Sequence, residues 1–193
     1  MNTLQPAVNI ILGSASPRRK ELLAGLDLDF VIDTKTNFVE IYPDTIPLAE
    51  VPEYLAKGKS NGFHRELQPS ELLITADTMV LCNGEMMGKP KDKADAARML
   101  GMLQNNKHTV ITGVCLRSCK KMKSFTTTSN VCFGKLSAQE IDYYLEKYKP
   151  YDKAGAYGVQ EWIGYVGITG LEGSYYNVMG LPVQRLYAEL KQF

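Results

Sequence analysis

Three short groups of residues in this 193-residue chain combine side chains suited to holding an anion, to acid–base chemistry or to reading a planar base. The first is Gly13-Ser14-Ala15-Ser16-Pro17-Arg18-Arg19. A helix opening there offers unpaired N–H groups and a partial positive charge, and small residues before it let an anion come close. Two arginines in a first turn oppose the helix dipole unless an anion offsets them, which favours anion binding over a capped surface helix with solvated arginines. The second is Ala76-Asp77-Thr78 with Gly88-Lys89-Pro90, which would bring an acid and a base near one point. The alternative is an aspartate that closes a turn and a solvated lysine. The third is Asp152-Lys153-Ala154-Gly155-Ala156-Tyr157-Gly158-Val159-Gln160, where an aromatic for stacking and an amide for reading a nucleobase follow an ion pair. An ordinary β-turn with an exposed salt bridge is the plainer reading of the same residues.

The elements that must position these groups follow from periodicity and caps. Val8 to Leu12 reads as a buried strand; Ser16 then suits an N-cap, Pro17 a first helical position, and Gly25 the end of the helix. A second strand, Phe30 to Asp33, leads through an irregular stretch containing Glu40 into a helix from about Val51 to Phe63. Leu72 to Ala76 predicts a strand. Thr78 to Cys82 and Glu85 to Met87, joined by Asn83-Gly84, predict a type I′ hairpin in which the numbers of facing residues sum to 167. That register sets Thr78 opposite Lys89, with a bulge at Gly88 needed to bring Asp77 and Lys89 to one face. Asp92 caps a helix through Leu103, and His108 to Arg117 and Lys123 to Phe133 read as long paired strands. Ser137-Ala138-Gln139-Glu140 is a capping box, opening a helix whose apolar stripe is Ile141, Tyr144, Leu145 and Tyr148. The glycines from Gly155 to Gly180 are read as loops where the backbone turns tightly or approaches something closely, before a last helix from Val183 to about Lys191.

Composition narrows the classes. With 22 Lys and Arg against 21 Asp and Glu, the net charge of +1 disfavours a nucleic-acid binder held mainly by phosphate neutralisation. An apolar content of 45% argues against disorder, and the length suits one well-cored domain over residues 1–193. Cys82, Cys115, Cys119 and Cys132 lack paired metal spacing and read as buried free thiols. No basic segment precedes the short apolar run at Val8, so neither a signal peptide nor a membrane span is expected and the default location is the cytoplasm. With only His64 and His108, carboxylates and lysines must carry any chemistry. Gly58-Lys59-Ser60 mimics the end of a phosphate loop, but Glu53 stands where that pattern requires glycine and the segment reads as mid-helix.

Taken in order, Ser14-Ala15-Ser16-Pro17-Arg18-Arg19-Lys20-Glu21-Leu22-Leu23, Ala76-Asp77-Thr78, Gly88-Lys89-Pro90, Thr112-Gly113-Val114, Asp152 to Tyr157 and Gly173 to Pro182 resemble the Maf family of nucleoside triphosphate pyrophosphatases. The resemblance implies an α/β fold: an elongated, two-lobed single domain around a mixed β-sheet, of the inosine triphosphatase-like (Maf/Ham1) architecture, with a nucleotide cleft between the lobes. It implies cleavage between the α- and β-phosphates with Mg²⁺, or Mn²⁺ or Co²⁺, in a homodimer. Asp77 would be the general base or a metal-linked carboxylate and Glu40 an acidic partner on the metal. Lys89 would stabilise phosphate charge, and the lysine of the following helix would be Lys59, with Lys57 as its rival. Ser14, Arg18 and Arg19 would hold phosphates; Thr78, Asp152, Lys153 and Gln160 would bind the substrate, Thr78 and Gln160 at its base. Arg-Arg after Ser-Pro, Asp-Thr and Tyr-x-x-Gln resemble the branch acting on dTTP and UTP; Glu161 stands where the family usually has glycine. The rival readings are a 7-methyl-GTP pyrophosphatase and a non-catalytic nucleotide-binding regulator of cell division.

Overall fold

The structure, a computed structural model, describes residues 8–193. Along the chain lie β1 (Asn9–Leu12), α1 (Pro17–Ala24), β2 (Phe30–Ile32), α2 (Val51–Asn61), β3 (Glu71–Cys82), β4 (Glu85–Met87) and α3 (Lys93–Leu103). There follow β5 (Lys107–Arg117), β6 (Met122–Phe133), α4 (Ala138–Tyr148), α5 (Trp162–Gly167), β7 (Ile168–Glu172), α6 (Tyr175–Met179) and α7 (Val183–Leu190). The seven strands form one sheet in the order β2-β1-β3-β5-β6-β7, with β4 paired to β3. β1 runs parallel to β2 and β3, while β3–β4 and β6–β7 are antiparallel, so the sheet is mixed as expected.

The described chain divides into two compact units. The first comprises residues up to Asp77 together with Thr112–Thr127 and Gly180–Phe193; the second comprises Thr78–Ile111 and Thr128–Met179. In the first unit, β1 is flanked on both sides by parallel strands, and Ile10, Ile11 and Leu12 are all buried, as an unbroken apolar run demands. β2 is its outer neighbour and leaves Val31 and Ile32 exposed. Helix α1 starts and stops where its residues dictate: the Ser16 hydroxyl accepts the Arg19 N–H, Pro17 is the first helical residue and Gly25 caps the end. In the second unit α3 packs on α4 and on the turn Ala154–Ala156. The Ser137–Glu140 capping box is complete, and Ile141, Tyr144 and Leu145 are buried while Tyr148 is half-buried.

Several expectations change. Leu72–Ala76 and Thr78–Cys82 are one uninterrupted strand, β3. The hairpin has the expected register, Val80 opposite Met87 and Cys82 opposite Glu85, with positive φ at Asn83 and Gly84. Its ladder nevertheless stops at Met87, without the bulge at Gly88, because the Gly88 carbonyl accepts the Gly155 N–H at 3.0 Å. The glycine-rich last third is not simply loop: Gly164 and Gly167 lie in α5 and Gly170 in β7. Of the cysteines, Cys82 and Cys115 are buried, Cys132 is half-buried and Cys119 is exposed at a turn; all are free thiols.

Candidate functional site

In the first unit, four elements contribute to one polar cluster. The glycine-serine turn after β1 is pinned by the Gly13 N–H to the Ile74 carbonyl at 2.8 Å, which leaves Ser14 buried at the mouth of α1. Its hydroxyl accepts Arg19 Nη1 at 3.2 Å and the Ser16 N–H at 3.3 Å. Arg19 is anchored further: Nη1 donates to the Ala76 carbonyl at 3.0 Å and Nε to the Gly180 carbonyl at 2.8 Å. Desolvation lowers its pKa from the ordinary guanidinium value, while the nearby carboxylates of Asp77 and Glu40 act in the opposite direction. Arg18, one residue earlier, is half-buried.

Asp77 ends the first-unit part of β3 and is buried. Lys59 Nζ, from the last turn of α2, lies 2.5 Å from Asp77 Oδ1 and 3.2 Å from Glu40 Oε1. The two rival lysines are thereby separated: Lys57 points to Glu53 at 3.4 Å, one turn back on the same helix. Residues two apart on a helix face nearly opposite ways, so only one of the pair can reach the cluster. Glu40 sits in an otherwise exposed stretch, yet it is held. Phe38, two residues earlier, lays its ring on Gly58, where a Cβ would come within 2.2–2.7 Å of three ring carbons. Phe38 N–H donates to Thr36 Oγ1, Thr36 Oγ1 donates to the Lys59 carbonyl, and Asn37 N–H donates to the Gly62 carbonyl at 2.7 Å. The glycine of the false phosphate loop is therefore a socket for an aromatic ring.

The second unit holds the remaining expected residues. Thr78 is half-buried, and Lys89 is exposed two residues beyond β4. The Asp152 segment is not an exposed turn: Lys153 is buried, with Nζ 2.8 Å from Asp152 and 3.1 Å from Glu161. Glu161 also accepts the Tyr144 hydroxyl, whose oxygen in turn accepts the Gly158 N–H at 3.0 Å. Burial, with Glu161 beside it, raises the Tyr144 pKa. Tyr157, buried, lies 2.7 Å from His108 Nε2, and Phe133 meets both rings edge-on or stacked. Burial lowers the His108 pKa to about 4. Gln160 is half-buried, and its amide oxygen is buried with no hydrogen-bond partner among the described residues.

Sequence reasoning did not find Phe38, Tyr144 or His108 as supports of these groups. Glycines four apart, Gly58 in α2 and Gly62 just past its end, were a signal for Phe38; Tyr144 was hidden inside an ordinary apolar stripe.

Comparison with known proteins gives the chain's family. The chain is 52% identical over 183 residues to a protein of Bacteroides thetaiotaomicron named dTTP/UTP pyrophosphatase, covering 95% of each chain. It is 53% identical over 186 residues to a protein of the same name from Porphyromonas gingivalis, covering 95% of this chain and 94% of that one. A solved HAM1 protein from Coxiella burnetii aligns with 96% of this chain and 100% of its own, at a TM-score of 0.48 and 13% identity. The family model described as "Maf-like protein" matches residues 9–193, which takes in the Ser14 turn, the Glu40–Lys59–Asp77 cluster and the Lys153 loop. The chain belongs to the Maf-like protein family.

Proposed function

We propose that this protein is a nucleoside triphosphate pyrophosphatase that hydrolyses the bond between the α- and β-phosphates of dTTP and UTP, giving the monophosphate and pyrophosphate and clearing both from nucleotide pools. The observation that carries the reading is the meeting of Lys59 with Asp77 and Glu40, beside the Arg19 and Ser14 turn, in a chain half identical to relatives of that name. Neither the 7-methyl-GTP reading nor the non-catalytic regulator is favoured by those relatives.

In this reading Ser14, Arg18 and Arg19 take phosphate oxygens at the opening of α1, where N–H groups and guanidinium add their charge. Asp77 orients the attacking water and takes its proton as the water oxygen bonds to phosphorus, while the bond to the bridging oxygen breaks and that oxygen departs with pyrophosphate. Lys59 holds Asp77 in place, and Lys89 offsets charge on the leaving phosphates. Two carboxylates meeting at one point suit a hard divalent cation, which completes its shell with water and substrate phosphate. Asp77 and Glu40 would hold it; no group of three or more His, Cys, Asp or Glu among the described residues offers a closed protein cage. Mg²⁺, with Mn²⁺ or Co²⁺ as substitutes, would when bound neutralise phosphate charge and make the water more acidic. Thr78 and Gln160 select the base, in a segment held by Asp152 and Lys153. The N3–H that thymine and uracil share, and cytosine lacks, is a donor for the unpartnered Gln160 oxygen. Homodimeric assembly and action in the cytoplasm belong to the same proposal, on the strength of the family resemblance.

The test is a panel of canonical triphosphates and 7-methyl-GTP with Mg²⁺, following pyrophosphate against orthophosphate. Pyrophosphate released preferentially from dTTP and UTP is expected. Orthophosphate as the product, or tight binding without release, overturns the proposal.

A further inference from the structure

Glu161 directly follows Gln160, and its carboxylate is the hub of the segment. One oxygen meets Lys153 Nζ at 3.1 Å and the other accepts the Tyr144 hydroxyl. Tyr144 accepts the Gly158 N–H at 3.0 Å, and the Glu161 N–H returns to the Gly158 carbonyl at 3.0 Å. The turn 158–161 is thus clasped from both ends, with Gln160 inside it. The fit is close: a Cβ on Gly158 would lie 2.7 Å from the Glu161 carboxyl carbon. The Lys153 and Glu161 side chains are only 10% and 18% exposed, so the bonds are worth more than a solvated ion pair.

We propose that Glu161 is a positioning residue for base selection: gripped by Lys153 and Tyr144, it sets the backbone path through Gly158 and thereby the aim of the Gln160 amide. The proposal rests on the reading of Gln160 given above. Lys153 in consequence serves the segment through Glu161 instead of serving as a free cation for phosphate.

The experiment compares Glu161→Ala, Glu161→Gln and Gln160→Ala, with the double variant Gln160→Ala/Glu161→Ala, in the full chain. Steady-state kinetics with dTTP, UTP and dCTP are read beside melting temperature and hydrogen exchange over residues 155–161. Glu161→Ala is expected to raise KM for dTTP and UTP about tenfold, the scale of one buried hydrogen bond, with little change in kcat and a smaller preference over dCTP. Glu161→Gln, which keeps an acceptor for Tyr144, restores most of that loss. In the Gln160→Ala background, removing Glu161 adds nothing to the loss of preference. A preference unchanged by Glu161→Ala, or an added loss in the double variant, overturns the proposal. Should Gln160→Ala itself leave the base preference intact, the base-reading role of Gln160 fails. The positioning claim is then decided by exchange: faster exchange over 155–161 in Glu161→Ala supports it, and unchanged protection overturns it.

Discussion

Each unit of this protein holds a largely covered lysine between two carboxylates, one largely covered and one exposed. Lys59 lies between Asp77 and Glu40, with side chains 15%, 11% and 59% exposed; Lys153 lies between Glu161 and Asp152, at 10%, 18% and 55%. The charges match, but the surroundings do not. The acids of Lys59 come from a strand and a long loop, at sequence distances that only the fold closes. Those of Lys153 come from its own segment, and Tyr144 occupies the second oxygen of Glu161. The first arrangement leaves much of the Glu40 carboxylate open to solvent, whereas in the second both oxygens of Glu161 hold a turn. Function of such a triplet is set less by its charges than by what else its more covered acid touches.

The sharpest way to break this comparison is Asp77→Asn. Turnover should fall about 10²–10⁴-fold with nucleotide binding largely kept, measured by pyrophosphate release and calorimetric binding. Near-normal release would remove the chemical role. Acid should act instead on the second unit, through His108. Its imidazole titrates at about 4 when folded and near 6.5 when unfolded, so between these values the unfolded chain binds more protons. Stability therefore falls as pH drops from 6.5 towards 4, by up to about 3 kcal/mol from this group. Urea unfolding across that range should show His108→Gln with a shallower slope than the parent.

Lys153→Met should leave Glu161 half-buried without its cation and cost about 2 kcal/mol, below the loss for a fully buried pair. Lys59→Met should instead cost mainly kcat, and thermal melts beside kinetics separate the two. Gly58→Ala pushes the Phe38 ring off α2 and should cost about 1–3 kcal/mol by overpacking, with a loss of kcat through Glu40. The smallest effect belongs to a lysine with a single exposed partner. Lys93 bonds to Glu146 at the surface, and Lys93→Ala should shift the melting temperature barely at all.

Much of the scaffold was legible because it is written locally. Ser16, Asp92 and Ser137 cap the helices that their types announce, and Asn83-Gly84 sets a hairpin register to the residue. The last third was legible only in part: Gly155, Gly173 and Gly180 take the positive φ of turn glycines, but Gly164 and Gly167 lie in a helix and Gly170 in a strand. Gly164 sits inside α5 because a Cβ there would lie 1.9 Å from the Val159 carbonyl oxygen. For the same reason the cluster was readable only in part. Asp77 and Arg19 stood out by motif, but choosing Lys59 over Lys57 needed the phase of α2 against a loop that carries no periodic signal. Lys153 was expected among the substrate-binding residues; its hold on Glu161 depends on Tyr144, a residue that sequence alone assigns to the core.

The seat of Phe38 on α2 also divides the stretch between β2 and α2 into two mechanical halves. Residues before it are laced to the end of the helix, by Asn37 to Gly62, His64 to Lys35 and Asp33 to His64. Beyond it the chain runs exposed past Ile41, Pro43 and Asp44. A protease given the native protein should nick this far half first, severing the backbone beyond Glu40 while the ring keeps that glutamate at its post.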